Sequence, residues 1–475
     1  MELSKDKEMI RFSITDLVRI VRSSAVAPET AIRDTQYAIR DVTGVSTDSR
    51  TTKAGDCFFA IAGENFDGHD YVSDAFAKGA ACAVVGKELD GDEFADKCLL
   101  RVEDTVKALG ELAREYRREA GFKVVAITGS AGKTTTRQIC YHALSRRFGV
   151  HQSPKSFNNK IGLPLTLLGA GPDTEIVVAE LGSNHPGEIS YLTGIAIPDI
   201  AVVTNVHPAH LEGFGDLQTI ANEKSSISEG LPPQGVLIIN ADIDILVETC
   251  RAGGAAFVTF GKSDGADYRL SNIRFDGPVS RFTIDGTEVR LPLAGPGNVE
   301  NALAAWTVCS QFGLTIDDFA QAIKTLPAVS MRSEVLQIGT LTVLSDCYNA
   351  NPASMKNALD ILAKLDPTGT RRLVFICGDM AELGPQTERL HAELGASVPQ
   401  TGVELLLAVG KLSQITADSA AASAEHDLRT KCFDNTLSAC NNLHEFIKDY
   451  DIILVKGSRT AGLETAVEKL NELFS

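Results

Sequence analysis

The sequence predicts an α/β protein of three domains, and three observations carry that prediction. At 475 residues the chain exceeds one hydrophobic core, and about 150 residues per domain gives roughly three. Short apolar runs rich in β-branched residues alternate with segments able to wind as helices, the pattern of parallel strands buried on both faces. Loops carrying Gly, Asn or acidic residues follow those runs, and in such sheets ligands sit beyond the carboxyl ends of the strands.

Residues 1 to 122 predict a small α/β domain. Its apolar runs are Cys57 to Ile61 and Ala80 to Val85, and it closes on a charged helix near Glu111 to Glu119. Two polar clusters, STDSR (Ser46 to Arg50) and DGHDY (Asp67 to Tyr71), read by themselves as solvated loops. Residues 123 to 328 repeat strand, loop and helix, with runs at Val124 to Ile127, Ile176 to Ala179, Ile200 to Thr204 and Val236 to Ile239. The strand ends carry Gly129, Glu180, Asn205 and Asn240. Asp285-Gly286, centred in Arg281 to Leu291, predicts a hairpin with a type I′ turn that decorates the main sheet. Residues 329 to 475 start a second series, with strands at Leu341 to Leu344, Leu373 to Cys377, Leu405 to Val409 and Ile452 to Val455. It reads as Rossmann-like without a G-x-G-x-x-G fingerprint.

Composition narrows the function. Hydrophobic residues make up 44% and charged residues 23%, which suits packed globular cores. The 62 acidic against 45 basic residues leave a net charge of -17, which repels a polyphosphate backbone, so no nucleic acid polymer is expected as partner. MELSKDKEMIRFS has no apolar signal-peptide core, and no run reaches the ~18 apolar residues of a membrane span. A cytoplasmic protein without an integral membrane segment is expected. The ten cysteines form no C-x-x-C pair and no Cys/His cluster, which reads as reduced buried thiols rather than a structural zinc.

The chemistry concentrates at GSAGKTTT, Gly129 to Thr136, between an apolar run and a helical stretch. Gly129, Ser130, Ala131, Gly132, Lys133, Thr134 and Thr135 read as a phosphate-binding loop. Backbone N–H groups at a helix N-terminus face anionic oxygens, Lys133 reaches the terminal phosphates, and the Thr134 hydroxyl suits magnesium. Ile127 stands where the full pattern has its first glycine, so the loop is short. ATP and Mg2+ are the implied cofactors. Magnesium on nucleotide phosphates keeps several waters and takes few protein oxygens, so one strand-end acid suffices, and Glu180 is that acid. TNVHPAHLEGFG offers His207 and His210, which alone read as polar loop residues, and Lys224 alone reads as a solvated lysine, since an ammonium ligates no metal.

Taken in order, GSAGKTTT, SFNNKIGLPLTLL (Ser156 to Leu168), ELGSNHPGEI (Glu180 to Ile189), TNVHPAHLEGFG (Thr204 to Gly215), GNVENALAA (Gly297 to Ala305), SDCYNANPASM (Ser345 to Met355), GDMAELG (Gly378 to Gly384) and KGSR (Lys456 to Arg459) resemble the Mur ligases of peptidoglycan synthesis. FNN-x-IG-x-PLTLL, HPGEI, AHLEGFG and YNANP resemble the branch that adds D-alanyl-D-alanine to UDP-N-acetylmuramoyl-tripeptide, and the likeness runs from STDSR to KGSR. The resemblance implies ATP-dependent amide synthesis through an acyl phosphate and a tetrahedral intermediate, giving ADP and phosphate. Lys133, Glu180, His210 and Lys224 are its implied catalytic set. Thr134, Glu180, His210 and Lys224 would be the metal residues, Lys224 as the carbamylated lysine of the family. Asn298 and Asn301 would meet the base, and Arg332 and Asp346 would hold ATP from the C-terminal side. Ser49, Arg50, Asp67, Gly68 and His69 fall at the UDP-sugar site, Asn158, Asn159, Asn184 and His185 along the muramoyl-peptide, and Tyr348, Asn349 and Asn351 by the dipeptide. A monomer is expected.

Five positions depart from that branch: Ala131 for Asn, Lys160 for an acid, His207 for Gly, and Pro296-Gly297 for an Arg-His pair. Losing the histidine before Asn298 would remove an adenine or ribose contact that the resemblance implies. Two alternatives stay open, a sister amino-acid ligase of the superfamily and a non-catalytic nucleotide-binding scaffold. YNANP stands where diaminopimelate-adding relatives carry a DNPR-type motif.

Overall fold

The computed structural model describes residues 12–21, 41–89, 91–366, 368–425 and 427–475; most of the N-terminal segment read above for targeting lies outside them. Among the described residues three mainly parallel sheets follow one another along the chain.

In the first unit β1 (Phe12–Ser13) pairs antiparallel with β2 (Asp41–Val42), joined to α1 (Ile14–Val21). Beside them β3 (Gly44–Ser46), β4 (Asp56–Phe59), β5 (Cys82–Val85) and β6 (Leu99–Arg101) form a four-stranded parallel sheet in that order, with α2 (Val72–Ala77) between β4 and β5. Every residue of β4 and β5 is buried, as expected of strands covered on both faces. The helix α3 (Thr105–Ala120) starts on Asp104, whose carboxylate accepts from the Val106 and Lys107 N–H groups, and stops at Gly121 with φ 69°.

The central sheet has seven strands: β7 (Lys123–Thr128), β8 (Val150–Gln152), β9 (Ile176–Glu180), β10 (Ile200–Val203), β11 (Val236–Asn240), β12 (Phe257–Gly261) and β13 (Tyr268–Arg269). Their spatial order is β13-β12-β11-β10-β7-β9-β8, all parallel. Strands β8 and β9 lie on one side of β7 and β10 to β13 on the other, so a crevice opens beyond the carboxyl end of β7. The interleaved helices are α4 (Lys133–Leu144), α5 (Gly162–Leu168), α6 (Glu188–Ala196), α7 (Leu211–Phe214), α8 (Leu217–Ser225) and α9 (Asp244–Ala252).

The predicted hairpin exists, but not as a decoration of the main sheet. Strands β14 (Ser271–Asp276), β15 (Val279–Ile284) and β16 (Thr287–Leu291) make a separate antiparallel sheet. Asp285 and Gly286 take φ 48° and 82°, the two positive values a type I′ turn needs. The inward side chains Phe282, Ile284, Val289 and Leu291 join the core shared by α4, α10 (Pro296–Gln311) and α11 (Ile316–Ile323), and burial there supplies the reason to leave the main sheet.

Among its described residues the last unit holds six strands: β17 (Glu334–Ile338), β18 (Leu341–Ser345), β19 (Leu373–Gly378), β20 (Val403–Val409), β21 (Arg429–Phe433) and β22 (Ile452–Lys456). Their order is β17-β18-β22-β19-β20-β21, parallel except for the antiparallel edge β17. The helices α12 (Pro352–Leu362), α13 (Thr387–Ser397), α14 (Ser413–Ser423), α15 (Thr436–Phe446) and α16 (Glu464–Phe474) flank it. All ten cysteines are free thiols and only Cys432 is exposed. Among the described residues no helix is long and apolar enough to cross a membrane.

Candidate active site

The phosphate loop turns directly from β7 into α4. Gly129 (φ 144°) and Gly132 (φ 79°) occupy backbone conformations that side chains rarely adopt. A Cβ at Gly129 would also lie 2.0 Å from Thr204 Oγ1, and one at Gly132 2.1 Å from Asn301 Oδ1. The segment after β10 holds the loop in place: the Ala131 N–H donates to Asn205 Oδ1 at 2.9 Å. The Ser130 hydroxyl donates to the His207 carbonyl at 2.9 Å and accepts from the His207 N–H at 3.0 Å. His207 thus contributes main-chain polar groups, and burial lowers its imidazole pKa and favours the neutral ring.

Lys133 opens α4 and its Nζ folds back onto the Gly129 carbonyl at 2.7 Å. Burial lowers its pKa, with the Glu180 carboxylate opposing. Thr134 Oγ1 donates to Glu180 Oε2 at 2.7 Å and Asn158 Nδ2 to Glu180 Oε1 at 2.8 Å. Glu180 is 1% exposed. Burial pushes its carboxyl up, but Lys133, Arg332, Arg137 and the Thr134 hydrogen bond together outweigh this and hold it below the ordinary range. Arg137 was not picked out from the sequence. Its guanidinium lies 3.9 Å from Glu180 Oε2 and donates to the Ser153 and Lys155 carbonyls at 2.5 and 2.6 Å. It sits four residues after Lys133 on the same face of α4, a spacing that could have identified it.

Lys224 is where the unaided sequence reading fails. It is not solvated: α8 carries it inward to 2% exposure, with Nζ donating to Ser183 Oγ at 2.7 Å and lying 5.4 Å from the Phe214 ring centre. Burial, reinforced by the Lys133 ammonium, lowers its pKa to about 7. The adjacent Glu223 accepts from the Gly187 and Ile189 N–H groups, capping α6. His210 (φ 51°) places Nδ1 2.6 Å from Glu382 Oε2 of the last unit. Burial lowers its pKa, with Glu382 opposing and Lys133 and Lys224 adding to the shift.

The last unit closes the cavity from the other side. Arg332 stacks on the Tyr348 ring at 4.2 Å, and the Tyr348 hydroxyl is hydrogen-bonded to Ser156 of the central unit. Lys456, 1% exposed, donates to Asp346 Oδ2 at 2.6 Å and to the Asn349 carbonyl at 3.0 Å; Asp346 Oδ1 accepts from the Ser333 N–H at 2.9 Å. Asn351 caps α12 through Ser354 and donates across the boundary to the Ser130 carbonyl at 3.3 Å. At the far end Asn298 donates to the Ala294 carbonyl and Asn301 to Asn298 Oδ1. Gly297, part of the Pro-Gly departure, donates its N–H to Asn357 Oδ1 at 3.1 Å.

These groups line one cavity of about 1370 Å³, which takes in Ser130 to Thr135, Glu180, His210, Asn298, Asn301, Arg332 and Asp346. It also takes in Asn158, Asn159, Lys160, Asn184, Tyr348, Asn349 and Asn351. Lys224 reaches the same region through Ser183. His185 does not line it; its N–H and that of Asn184 donate to Glu188.

The N-terminal candidates gather elsewhere. Neither polar cluster is simply a solvated loop, since Ser49 and His69 are buried at 8% and 9% exposure. His69 Nε2 accepts from the Gly86 N–H at 2.8 Å, so Nδ1 carries the proton toward Asp67 Oδ1 at 2.5 Å, and Lys87 donates to Asp67 Oδ2 at 2.8 Å. The Lys87 and His69 hydrogen bonds hold the Asp67 carboxyl well below its ordinary range. Gly68 is required because a Cβ would lie 2.6 Å from the Ile61 nitrogen. Arg50 clasps Asp48 with two nitrogens at 2.7 to 2.9 Å. Asp67 and His69 line a second cavity of about 600 Å³, whereas Ser49, Arg50 and Gly68 line neither. Asp104, Val106 and Lys107, at the start of α3, border both cavities.

The donor set fits magnesium. A hydroxyl and an ionised carboxylate are hard oxygen ligands, and phosphates and water would supply the rest. Among the described residues no group of three or more His, Cys, Asp and Glu side chains forms an all-protein metal cage.

A phosphate loop at the switch point of a parallel sheet, with a charged second α/β unit closing over it, defines a nucleotide-dependent enzyme of the P-loop class. The chain matches the Mur ligase catalytic domain over residues 41–117, the Mur ligase middle domain over 127–309 and the Mur ligase glutamate ligase domain over 331–459. It is 34% identical over 467 residues to the UDP-N-acetylmuramoyl-tripeptide–D-alanyl-D-alanine ligase of Bacillus subtilis, covering 98% of this chain and 99% of that one. Among solved structures, MurF from Acinetobacter baumannii superposes with a TM-score of 0.85 at 30% identity, covering 98% and 99% of the two chains. MurF ligase from Thermotoga maritima in complex with ADP superposes at 0.78 and 28% identity, covering 90% and 97%. The chain belongs to the Mur ligase family, within the branch of the UDP-N-acetylmuramoyl-tripeptide–D-alanyl-D-alanine ligases.

Proposed function

We propose that the protein uses ATP to join D-alanyl-D-alanine to UDP-N-acetylmuramoyl-tripeptide, releasing UDP-N-acetylmuramoyl-pentapeptide, ADP and phosphate in peptidoglycan synthesis. One observation carries this reading: a single cavity holds a phosphate loop, an ionised carboxylate, the Asn158-Asn159 pair and the groups of a second unit. Transfer to the tripeptide carboxylate makes an acyl phosphate, the dipeptide amine attacks, and phosphate leaves the tetrahedral adduct. Positioning and charge neutralisation supply most of the acceleration in phosphoryl transfer.

Each residue has a task in that sequence. Lys133 and the loop N–H groups offset charge on the β- and γ-phosphates. Asn298 and Asn301 face the base, and Arg332 and Asp346 hold ATP from the last unit. Thr134, Glu180, His210 and Lys224 would hold Mg2+, which neutralises phosphate charge when bound. Lys224, whose amine loses its proton near pH 7, is suited to carbamylation, since only the neutral amine attacks carbon dioxide. Asn158, Asn159 and Asn184 line the muramoyl-peptide path, and Tyr348, Asn349 and Asn351 the dipeptide end. His185, which only borders that path, is the weakest member.

Residues 1–122 act as the UDP-sugar domain through Ser49, Arg50, Asp67, Gly68 and His69, 123–328 as the ATP domain, and 329–475 as the closing domain. Closure would keep water from a hydrolysable acyl phosphate. We place the reaction in the cytoplasm and the working form as a monomer. Mass analysis of the products tests the reading: pentapeptide must form only with ATP, tripeptide and dipeptide together, and a product from D-glutamate or diaminopimelate instead would assign a sister ligase.

A further inference from the structure

The loop after β19 reaches out of the last unit and touches the central unit beside His210. Its own unit pins it from behind: the Met380 N–H donates to His391 Nε2 at 3.0 Å and the Ala381 N–H to Ser458 Oγ at 2.7 Å. From that base Glu382 projects forward, its Oε2 2.6 Å from His210 Nδ1, while its carbonyl accepts from the Glu212 N–H at 3.2 Å. Two residues on, Gly384 (φ 55°) passes so near Glu212 that a Cβ would sit 3.2 Å from its Cα. Glu382 (φ 61°) and His210 (φ 51°) both hold a left-handed backbone, which non-glycine residues keep only where their surroundings enforce it.

We propose that Glu382 is a positioning residue that orients His210 for the metal site, and that it does so only when the last unit is docked. An imidazole whose Nδ1–H donates to a carboxylate has one lone pair left, on Nε2, and its ring is fixed in rotation. Metal-binding histidines commonly hold such a partner on the second nitrogen. Here the partner comes from a different unit, 172 residues along the chain, so docking and the fixing of His210 are one event. The His210 side of the phosphate site is therefore complete only with the last unit docked, and the loop ties phosphate transfer to the presence of that unit. The inference rests on the reading of His210 as a metal residue.

The test uses the full chain carrying Glu382→Ala, Glu382→Gln or His210→Ala, with thermal melts to confirm folding. Binding of Mn2+ in the presence of ADP is measured by electron paramagnetic resonance, beside kcat and each KM. Glu382→Ala should weaken Mn2+ binding or lower kcat by on the order of 10- to 100-fold, the usual cost of removing such a partner. KM for UDP-muramoyl-tripeptide should not move. Glu382→Gln should recover part of the loss, because its amide oxygen still accepts from Nδ1. Normal Mn2+ binding and kcat in Glu382→Ala, with both lost in His210→Ala, would overturn the proposal alone. Normal Mn2+ binding in His210→Ala would remove the metal reading of His210 and the proposal with it.

Discussion

The two polar centres of this molecule are built on opposite principles. At the phosphate loop Glu180, Arg137 and Lys224 are buried and Lys133 is half-buried, and each charge is set against the others in a water-poor setting. At the N-terminal loops Asp48 pairs with Arg50 and Asp67 with Lys87, pairs in which the cationic side chain stays at least half exposed. Buried charge interacts strongly because little solvent screens it, whereas exposed pairs contribute little. The contrast separates two kinds of work. Under the proposed function, the central site would stabilise charge that develops during reaction, and the N-terminal site would only have to hold a substrate handle.

That contrast sets an order of expected effects. The largest falls on Lys133→Ala, which should cut kcat by on the order of 10²–10³-fold, as loss of one preorganised charge partner does, with the melting temperature preserved. Full activity in that variant would erase the distinction between the centres. Next comes Lys224→Ala, which should cut activity by roughly 10- to 100-fold, a loss that short carboxylic acids should partly rescue if a carbamate is the working group. Undiminished activity without rescue would remove Lys224 from the mechanism.

Lys224 also predicts a pH effect on stability. Its folded pKa of about 7 lies below the ordinary 10.5, so between these values the unfolded chain binds more protons. Stability from this group therefore rises with pH across that window and is flat below it. Lys224→Met should flatten the slope in denaturant titrations from pH 7 to 10, and an unchanged slope would contradict the burial argument. Smaller still, Gly297→Ala puts a Cβ 2.9 Å from Asn357 Oδ1, the flexible end of a side chain. A rise of a few-fold in KM for ATP with kcat nearly intact is expected, measured by initial rates. The smallest effect belongs to Arg50→Ala at the exposed centre: a modest rise in KM for the UDP substrate, with kcat unchanged. A large kcat loss there would show that the N-terminal loops do more than hold.

Legibility in the sequence followed the same divide. The phosphate loop was readable because its chemistry is contiguous, and Glu180 because a strand end must lie beside that loop. The hairpin was readable from Asp285-Gly286, though its partner β14 and the separate sheet were not, since they depend on packing against α10 and α11. Strands β8, β13 and β17 were missed because they carry no continuous apolar run; β8 is half-buried throughout. Lys224 looked solvated because nothing local reveals which way α8 faces. Lys456 with Asp346 and Glu382 with His210 join residues 110 and 172 positions apart, and no spacing rule brings such pairs together. Family resemblance supplied several of these residues in advance, but not Arg137, and it gave no role to Glu382 although that residue lies within GDMAELG.

The most direct measurement is phosphate release from ATP with magnesium, comparing UDP-muramoyl-tripeptide alone, D-alanyl-D-alanine alone, and both together, beside D-glutamate and diaminopimelate with their own UDP-muramoyl acceptors. Stoichiometric release is expected only when tripeptide and dipeptide are both present. Release with a control pair alone, or none under any condition, would contradict it.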